Sequence, residues 1–290
     1  LNIEQPLQIL VRRRAALGDV IMSTGVVREV KNRYHCEIDV ATEFPNVYDN
    51  NIHVRAVYHT SAMPDPKNYD MYINLDDSYE VNPLNHYVDS YFYRAFGSST
   101  VDNKKPELFT TNKDVDIVNQ FFQDNDLEEY IVVHIRQWHW PLKNMSWDTW
   151  YSIFEKIFTV RTDIKVVCVG TGQDGCVEHP LFVDARDKLT IQQQKLLFDH
   201  SKCFVGTDSG PYHIASTGTA NIISLHTHLL PDRILPRHQN AIPIMSGVDC
   251  VGCNDNQQRP VTQVICRHGD FRCKDSFDAT KIANNILELL

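Results

Sequence analysis

Between residues 205 and 215 the chain reads Val-Gly-Thr-Asp-Ser-Gly-Pro-Tyr-His-Ile-Ala, an apolar strand that turns abruptly into a helix. Asp208 and Ser209 are N-cap residue types, and Pro211 suits the first helical position. Backbone N–H groups at such a start point out of the helix, where the macrodipole favours negative charge. A diphosphate is the natural occupant, which suggests a nucleotide-dependent protein. The same residues also spell an ordinary capped helix behind a buried strand.

A second candidate lies at Ala15-Ala16-Leu17-Gly18-Asp19-Val20-Ile21, after the first strand. Gly18 permits close backbone approach, and Asp19 places a carboxylate at a helix start, expected to face a cleft between two domains. The dipole and the run Arg12-Arg13-Arg14 should keep it ionised. An ionised carboxylate there can take a proton from a hydroxyl nucleophile. Its commoner use is to cap its own helix.

Cys250-x2-Cys253, followed by Cys266 and Cys273, could supply four thiolates to a tetrahedral zinc. The second pair is spaced more widely than in a zinc ribbon, and His268 competes as a ligand. A disulfide clip and unligated buried thiols are the alternatives. Cys36, Cys168 and Cys203 sit on or beside strands and read as core. Asp76-Asp77, and likewise Asp184 and Asp187, are weak candidates for a chelating pair, since acids in loops are usually solvated.

The elements that would position these residues alternate. Strands are expected at 7–13, 37–41, 54–58 and 71–75, with helices at 20–34 and 85–96, the latter ending at Gly97. The polar stretch 98–105 brings no core residues of its own. The alternation then restarts: strands at 130–135, 164–169, 203–206 and 221–225, helices at 147–158, 190–200 and 212–216, and a closing helix at 279–290. Two such runs imply an α/β protein with two parallel-sheet, Rossmann-like domains, 1–125 and 126–290, the seam falling near 114–129. Ligands belong at the carboxyl ends of the strands. After Leu225 little regular structure is legible until the closing helix.

The chain has 290 residues, 42% apolar and 22% charged, enough for two ordinary cores. A net charge of −9 argues against broad nucleic-acid binding, although Arg12 to Arg14 is a local basic site. No apolar run approaches the roughly 18 residues of a membrane span, and the first residues lack a signal core. Eight scattered cysteines do not resemble a secreted disulfide scaffold. A cytoplasmic protein is expected.

Gly18-Asp19-Val20-Ile21, with Gly25-Val26-Val27-Arg28 after it, resembles the N-terminal motif of the ADP-heptose heptosyltransferases, glycosyltransferase family 9. Asp208 to Ala215 is similar to that family's donor-binding motif. Leu189 to Ser201, Asn221 to Leu225, and Lys143 ahead of Trp147 fall where the family has their counterparts. The resemblance implies a GT-B fold, two Rossmann-like domains facing across a cleft, with the acceptor held by the N-terminal half and the nucleotide sugar by the C-terminal half. It implies inversion by direct displacement with no catalytic metal. Asp19 matches the general base, Lys143 a donor-phosphate contact, and Asp208, Ser209, Gly210, Pro211 and His213 the donor turn. Arg14 and Gly18 are placed beside the acceptor, and Arg136 is expected to assist Lys143. The family often carries a similar cysteine-rich segment, which reads as a structural clip.

Two places depart from the family pattern: Arg136-Gln137-Trp138-His139-Trp140 replaces a small glycine-containing turn, and His226-Thr227-His228 a glycine and small hydroxyl. Trp138 or Trp140 could stack on a base or sugar, or pack between domains; Trp147 and Trp150 read as core. The expected function is transfer of a sugar, heptose first, from a nucleoside diphosphate such as ADP to an acceptor hydroxyl on a lipopolysaccharide core or other glycan. The acceptor could be membrane-attached. A hydroxylated DNA base as acceptor, reached through Arg12 to Arg14 and Arg28, and a non-catalytic nucleotide-sugar-binding protein are the alternatives.

Overall fold

β1 (Leu7–Arg12), α1 (Leu17–Arg33), β2 (Cys36–Thr42), β3 (Ala56–His59), β4 (Met71–Asn74) and α2 (Tyr87–Phe96) follow in that order. They are taken from a computed structural model that describes residues 5–81, 86–137, 140–253 and 266–290. Contacts divide the chain into two units, Leu1–Thr111 and Asn112–Leu290.

The first unit holds a parallel sheet in the order β3-β2-β1-β4. β1 is its centre, in register with β2 from Leu7↔Cys36 to Arg12↔Ala41 and with β4 from Ile9↔Met71 to Arg12↔Asn74. Strands covered on both faces must be apolar nearly throughout, and Ile9, Leu10 and Val11 are buried. α1 buries Val20, Ile21, Val26, Val27 and Val30. A Cβ on Gly25 would lie 3.1 Å from the Lys105 carbonyl oxygen, so the helix runs close against 104–105. Arg28 secures the same segment, donating to the Lys105 carbonyl at 3.0 Å. The polar stretch is therefore strapped to α1 rather than loose. α2 stops at Gly97, whose φ of 69° is the left-handed C-cap glycine favours.

The second unit comprises α3 (Asn112–Asp124), β5 (Tyr130–Val133), α4 (Trp147–Val160), β6 (Lys165–Cys168), β7 (Phe182–Asp184), α5 (Ile191–Asp199), β8 (Phe204–Thr207), α6 (Gly210–Ala215), β9 (Ile222–His226), α7 (Pro231–Ile234), β10 (Ala241–Met245) and α8 (Ala279–Leu287). Its six strands are parallel, in the order β10-β9-β8-β5-β6-β7. Counted from β5, that is the doubly wound order of a dinucleotide-binding fold, complete. Ile131, Val133, Val166, Val205 and Ile223 meet Trp150 and Phe154 of α4 in its core.

The division at 111/112 corrects the expected boundary after 125. The seam read from polarity is α3, which has a single fully buried side chain, Val118. Phe122 nevertheless packs on Tyr130 and His200, and Gln193 donates to Asp114, which ties α3 to the second unit. β7 and β10 were not anticipated: the first is three residues long, and the second carries Pro243.

Candidate functional site

In the second unit the strand order reverses between β5 and β8. Loops leaving neighbouring strands there go to opposite sides and open a crevice at the carboxyl ends. Residues 134–146 leave β5, and 208–210 leave β8. Ser209 is the N-cap of α6, extended at φ −164°, and its hydroxyl accepts the Tyr212 N–H at 3.5 Å. The helix begins at Gly210, so Pro211 occupies the second helical position and not the first.

Asp208 is clamped. Lys143 Nζ lies 2.5 Å from one carboxylate oxygen and His213 Nε2 lies 2.9 Å from the other. Burial pushes the carboxyl upward, but Lys143 and His213 outweigh it and hold Asp208 well below the usual range. Arg136 is lowered by burial, against the pull of Asp174 and Asp208. The loop bearing Lys143 is tied down on two sides: Thr207 Oγ1 donates to the Lys143 carbonyl at 2.7 Å, and Thr227 Oγ1 donates to that of Leu142. His228 also faces Asp208, and burial first, then Lys143, lowers it to about 3. Both departures from the family pattern thus border Asp208.

Trp140 lies with its ring 5.6 Å from Lys143 Nζ, within cation–π range. Trp138 falls outside the described residues. Trp150 is core, and Trp147 packs against it. Arg136, Lys143, Asp208, Ser209, Gly210 and His213 therefore gather at one place, with both cations drawn to Asp208 just ahead of the helix start. Lys143 is already paired, so an incoming phosphate would have to share it with Asp208. His134, Asp174 and Thr207 belong to the same neighbourhood and were missed, whereas His228 lies in a departure the sequence already marked. A histidine closing a buried strand was the available signal for His134.

In the first unit Asp19 both caps and exceeds its cap. Oδ2 accepts the Ala16 N–H at 2.9 Å, while Oδ1 accepts from Tyr91 Oη at 2.8 Å and pairs with Arg13 at 3.1 Å. The Arg13 guanidinium is 4% exposed and also meets Glu80 at 3.5 Å and the rings of Tyr79 and Tyr91. Burial alone would lower its pKa; Tyr91, Asp19, Tyr79 and Glu80 reverse that and raise it. Burial first, then Asp19, raises Tyr91 far above the ordinary phenol range, so Tyr91 keeps its proton and donates it. Gly18 is the second residue of α1.

The basic run is not a free basic patch. Arg12 pairs with Asp76 at 3.0 Å, Arg13 with Asp19, and the exposed Arg14 with Glu43 at 3.8 Å. Arg28 pairs with Glu107 at 2.5 Å. Asp76 also accepts the Arg14 N–H at 2.7 Å, so it braces β1 against β4 and is no chelator. Asp184 is bound by Arg186, and Asp187 by the Gly172 N–H.

Cys253 and Cys273 are buried against Leu142, with Cys266 packed beside them. Burial, then Cys250, Cys253 and Cys266, raises the Cys273 thiol to about 11, so the four sulfurs share one neighbourhood. Backbone N–H groups of 268–271 reach the Cys266 sulfur and outweigh burial to lower it. Among the described residues, however, the ligand atoms within 4.8 Å of one another belong to Asp249, Cys250 and His268. His268, expected to compete as a ligand, thus stands beside Cys250 together with Asp249. The segment buttresses the Lys143 loop, since Gly252 N–H donates to Thr227 and Ser146 N–H to Lys274.

The sequence model of glycosyltransferase family 9 (heptosyltransferase) matches residues 158–262, which contain the 205–215 turn. The fold matches a glycosyl transferase family 9 structure from Veillonella parvula DSM 2008 with TM-score 0.74 at 14% identity, covering 98% of this chain and 97% of that one. It matches E. coli ADP-heptose lps heptosyltransferase II with TM-score 0.68 at 15% identity, covering 98% of each. The iron-containing dodecameric glycosyltransferase TibC from enterotoxigenic E. coli H10407 gives TM-score 0.69 at 12% identity, covering 99% of this chain and 77% of that one. Among curated protein sequences none is significantly similar. The expected resemblance is borne out: the second unit carries a glycosyltransferase family 9 segment, on the α/β fold of the GT-B glycosyltransferases. Family segment and fold together indicate a glycosyltransferase. No helix among the described residues is long and apolar enough to cross a membrane.

Proposed function

We propose that this is an inverting, metal-independent glycosyltransferase that moves a sugar, heptose first, from a nucleoside diphosphate to an acceptor hydroxyl on a lipopolysaccharide core or other glycan, in the cytoplasm. The second unit binds the donor and the first the acceptor. One observation carries the reading: Lys143, Arg136 and the 208–210 turn gather at the switch point of a complete doubly wound sheet. In the reaction the acceptor oxygen bonds to the anomeric carbon as the bond to the diphosphate breaks. Asp19 takes the hydroxyl proton, and the leaving charge falls on Lys143, Arg136 and the Gly210 amide. ADP is the favoured nucleotide, because two of the structural neighbours are described with ADP-heptose. Arg14 and Gly18 are assigned to the acceptor side. A structural metal held near Cys250 is part of the proposal; TibC is described as iron-containing, so metal analysis should count zinc and iron.

A second reading has an observation of its own. Both oxygens of Asp19 are engaged, one by Ala16 N–H and the other by Tyr91 and Arg13, as suits a purely structural acid in a non-catalytic nucleotide-sugar binder. A DNA acceptor loses its support, because Arg12 to Arg14 and Arg28 are paired with acids. A thermal-shift series with ADP, UDP, GDP and their sugars tests the proposal. ADP at about a hundred times its Kd should stabilise the fold by about 2.7 kcal/mol. No shift with any nucleotide would refute donor binding, and binding without transfer to any acceptor would favour the second reading.

A further inference from the structure

Asp174 and His134, which the proposed reaction leaves unused, form a buried chain with Ser209 of the 208–210 turn. His134 follows β5, Asp174 lies in the turn after β6, and Ser209 follows β8, so three neighbouring strand ends each supply one member. Asp174 Oδ2 lies 3.3 Å from His134 Nε2, and His134 Nδ1 lies 2.9 Å from Ser209 Oγ. The three residues are 8%, 3% and 7% exposed. The His134 side chain lies against two glycines. A Cβ on Gly170 would be 3.0 Å from His134 Cδ2, and one on Gly206 would be 3.4 Å from His134 Cβ. Asp174 is itself fixed, accepting from Thr171 N–H at 2.9 Å and Thr171 Oγ1 at 3.2 Å, while Arg186 donates to its carbonyl oxygen.

A carboxylate accepts and cannot donate, so in the tautomer that fits this chain Nε2 carries the proton. Nδ1 is then bare and accepts the Ser209 hydroxyl proton. That leaves the Ser209 oxygen its lone pairs for the Tyr212 N–H it caps. With the roles reversed, a protonated Nδ1 would compete with Tyr212 for the same oxygen.

We propose that Asp174 and His134 are positioning residues for the anion-binding turn: they fix the tautomer that orients the Ser209 hydroxyl, and so hold the start of α6 in its diphosphate-binding geometry. The consequence for binding rests on the donor reading above; the chain itself does not.

The test is imidazole nitrogen NMR on the whole chain near neutral pH, paired with ADP titration, for the wild type and Asp174→Asn. Wild-type His134 should show the Nε2–H tautomer. In Asp174→Asn the amide can donate to Nε2, and the tautomer should move toward Nδ1–H. ADP should then bind about tenfold more weakly, the cost of one poorly satisfied buried group, while turnover at saturating donor changes about twofold or less, since the chain touches no reacting atom. A doubly protonated or Nδ1–H imidazole in the wild type would overturn the proposal, and needs no variant to fold. So would a tautomer switch that leaves ADP affinity unchanged, or stoichiometric labelling of Ser209 by a fluorophosphonate, which would make it an activated nucleophile. If ADP fails to bind the wild type, the donor reading falls, and the tautomer still decides whether the chain is wired as described.

Discussion

The two units place polar residues at the same topological position and furnish it oppositely. In both, the strand order reverses beside the first strand: between β1 and β4 in one, between β5 and β8 in the other. At the first reversal every cation is matched by an acid, Arg12 by Asp76 and Arg13 by Asp19 and Glu80. What remains is a carboxylate steadied by a phenol, an amide and one buried guanidinium. At the second, Lys143, Arg136 and three histidines surround Asp208 and Asp174 near a helix start. One arrangement suits a proton acceptor, the other an anion. Topology selects where a site forms, and side-chain charge selects what it does.

The largest effect that could break this contrast is on turnover. Asp19→Asn should cut transfer by about 10²–10⁴-fold, the worth of a general base, as measured by ADP release at saturating donor and acceptor. Full turnover would reduce Asp19 to a helix cap. Next comes the frame of the second site. A Cβ on Gly206 would lie 2.8 Å from Cζ of the buried Phe204, so Gly206→Ala should cost about 1–3 kcal/mol in chemical denaturation.

Acid should weaken the second unit in a defined window. Asp174 lies at about 2 because His134 and Thr171 outweigh burial, whereas an unfolded aspartate titrates near about 3.9. Between those values the unfolded chain binds more protons, so stability is present above the window and is lost as pH falls through it. Buried His226 and His228, lowered to about 4 and about 3, extend the loss upward to about pH 6.5, where an unfolded histidine charges. All four tryptophans lie in the second unit, so their fluorescence reports it. Asp174→Asn should flatten the lower part of the curve. The smallest effect is expected from Arg14→Ala: an exposed pair at 3.8 Å contributes about 0–1 kcal/mol, and denaturant midpoints should barely move.

The four inner strands of the second sheet were legible because fully buried parallel strands are continuous apolar runs, as in Tyr130–Val133. The 208–210 turn was legible as a capped helix start because capping chemistry is local. α3 was not: it buries one side chain fully, and its polar face reads as a linker. His134 and Asp174 were hidden for another reason. Each is ordinary in its own segment, and they meet only because β6 lies beside β5. The pairing of Arg12 with Asp76 depends likewise on β4 lying beside β1, so a triple arginine looked like free positive charge.

Calorimetric titration of ADP into the wild type, Lys143→Ala and Asp19→Asn tests the division of labour most directly. The account predicts that Asp19→Asn binds as the wild type does, while Lys143→Ala binds about 10–100-fold more weakly, the worth of a charge-assisted phosphate contact. Equal losses in both variants, or none in Lys143→Ala, would contradict it.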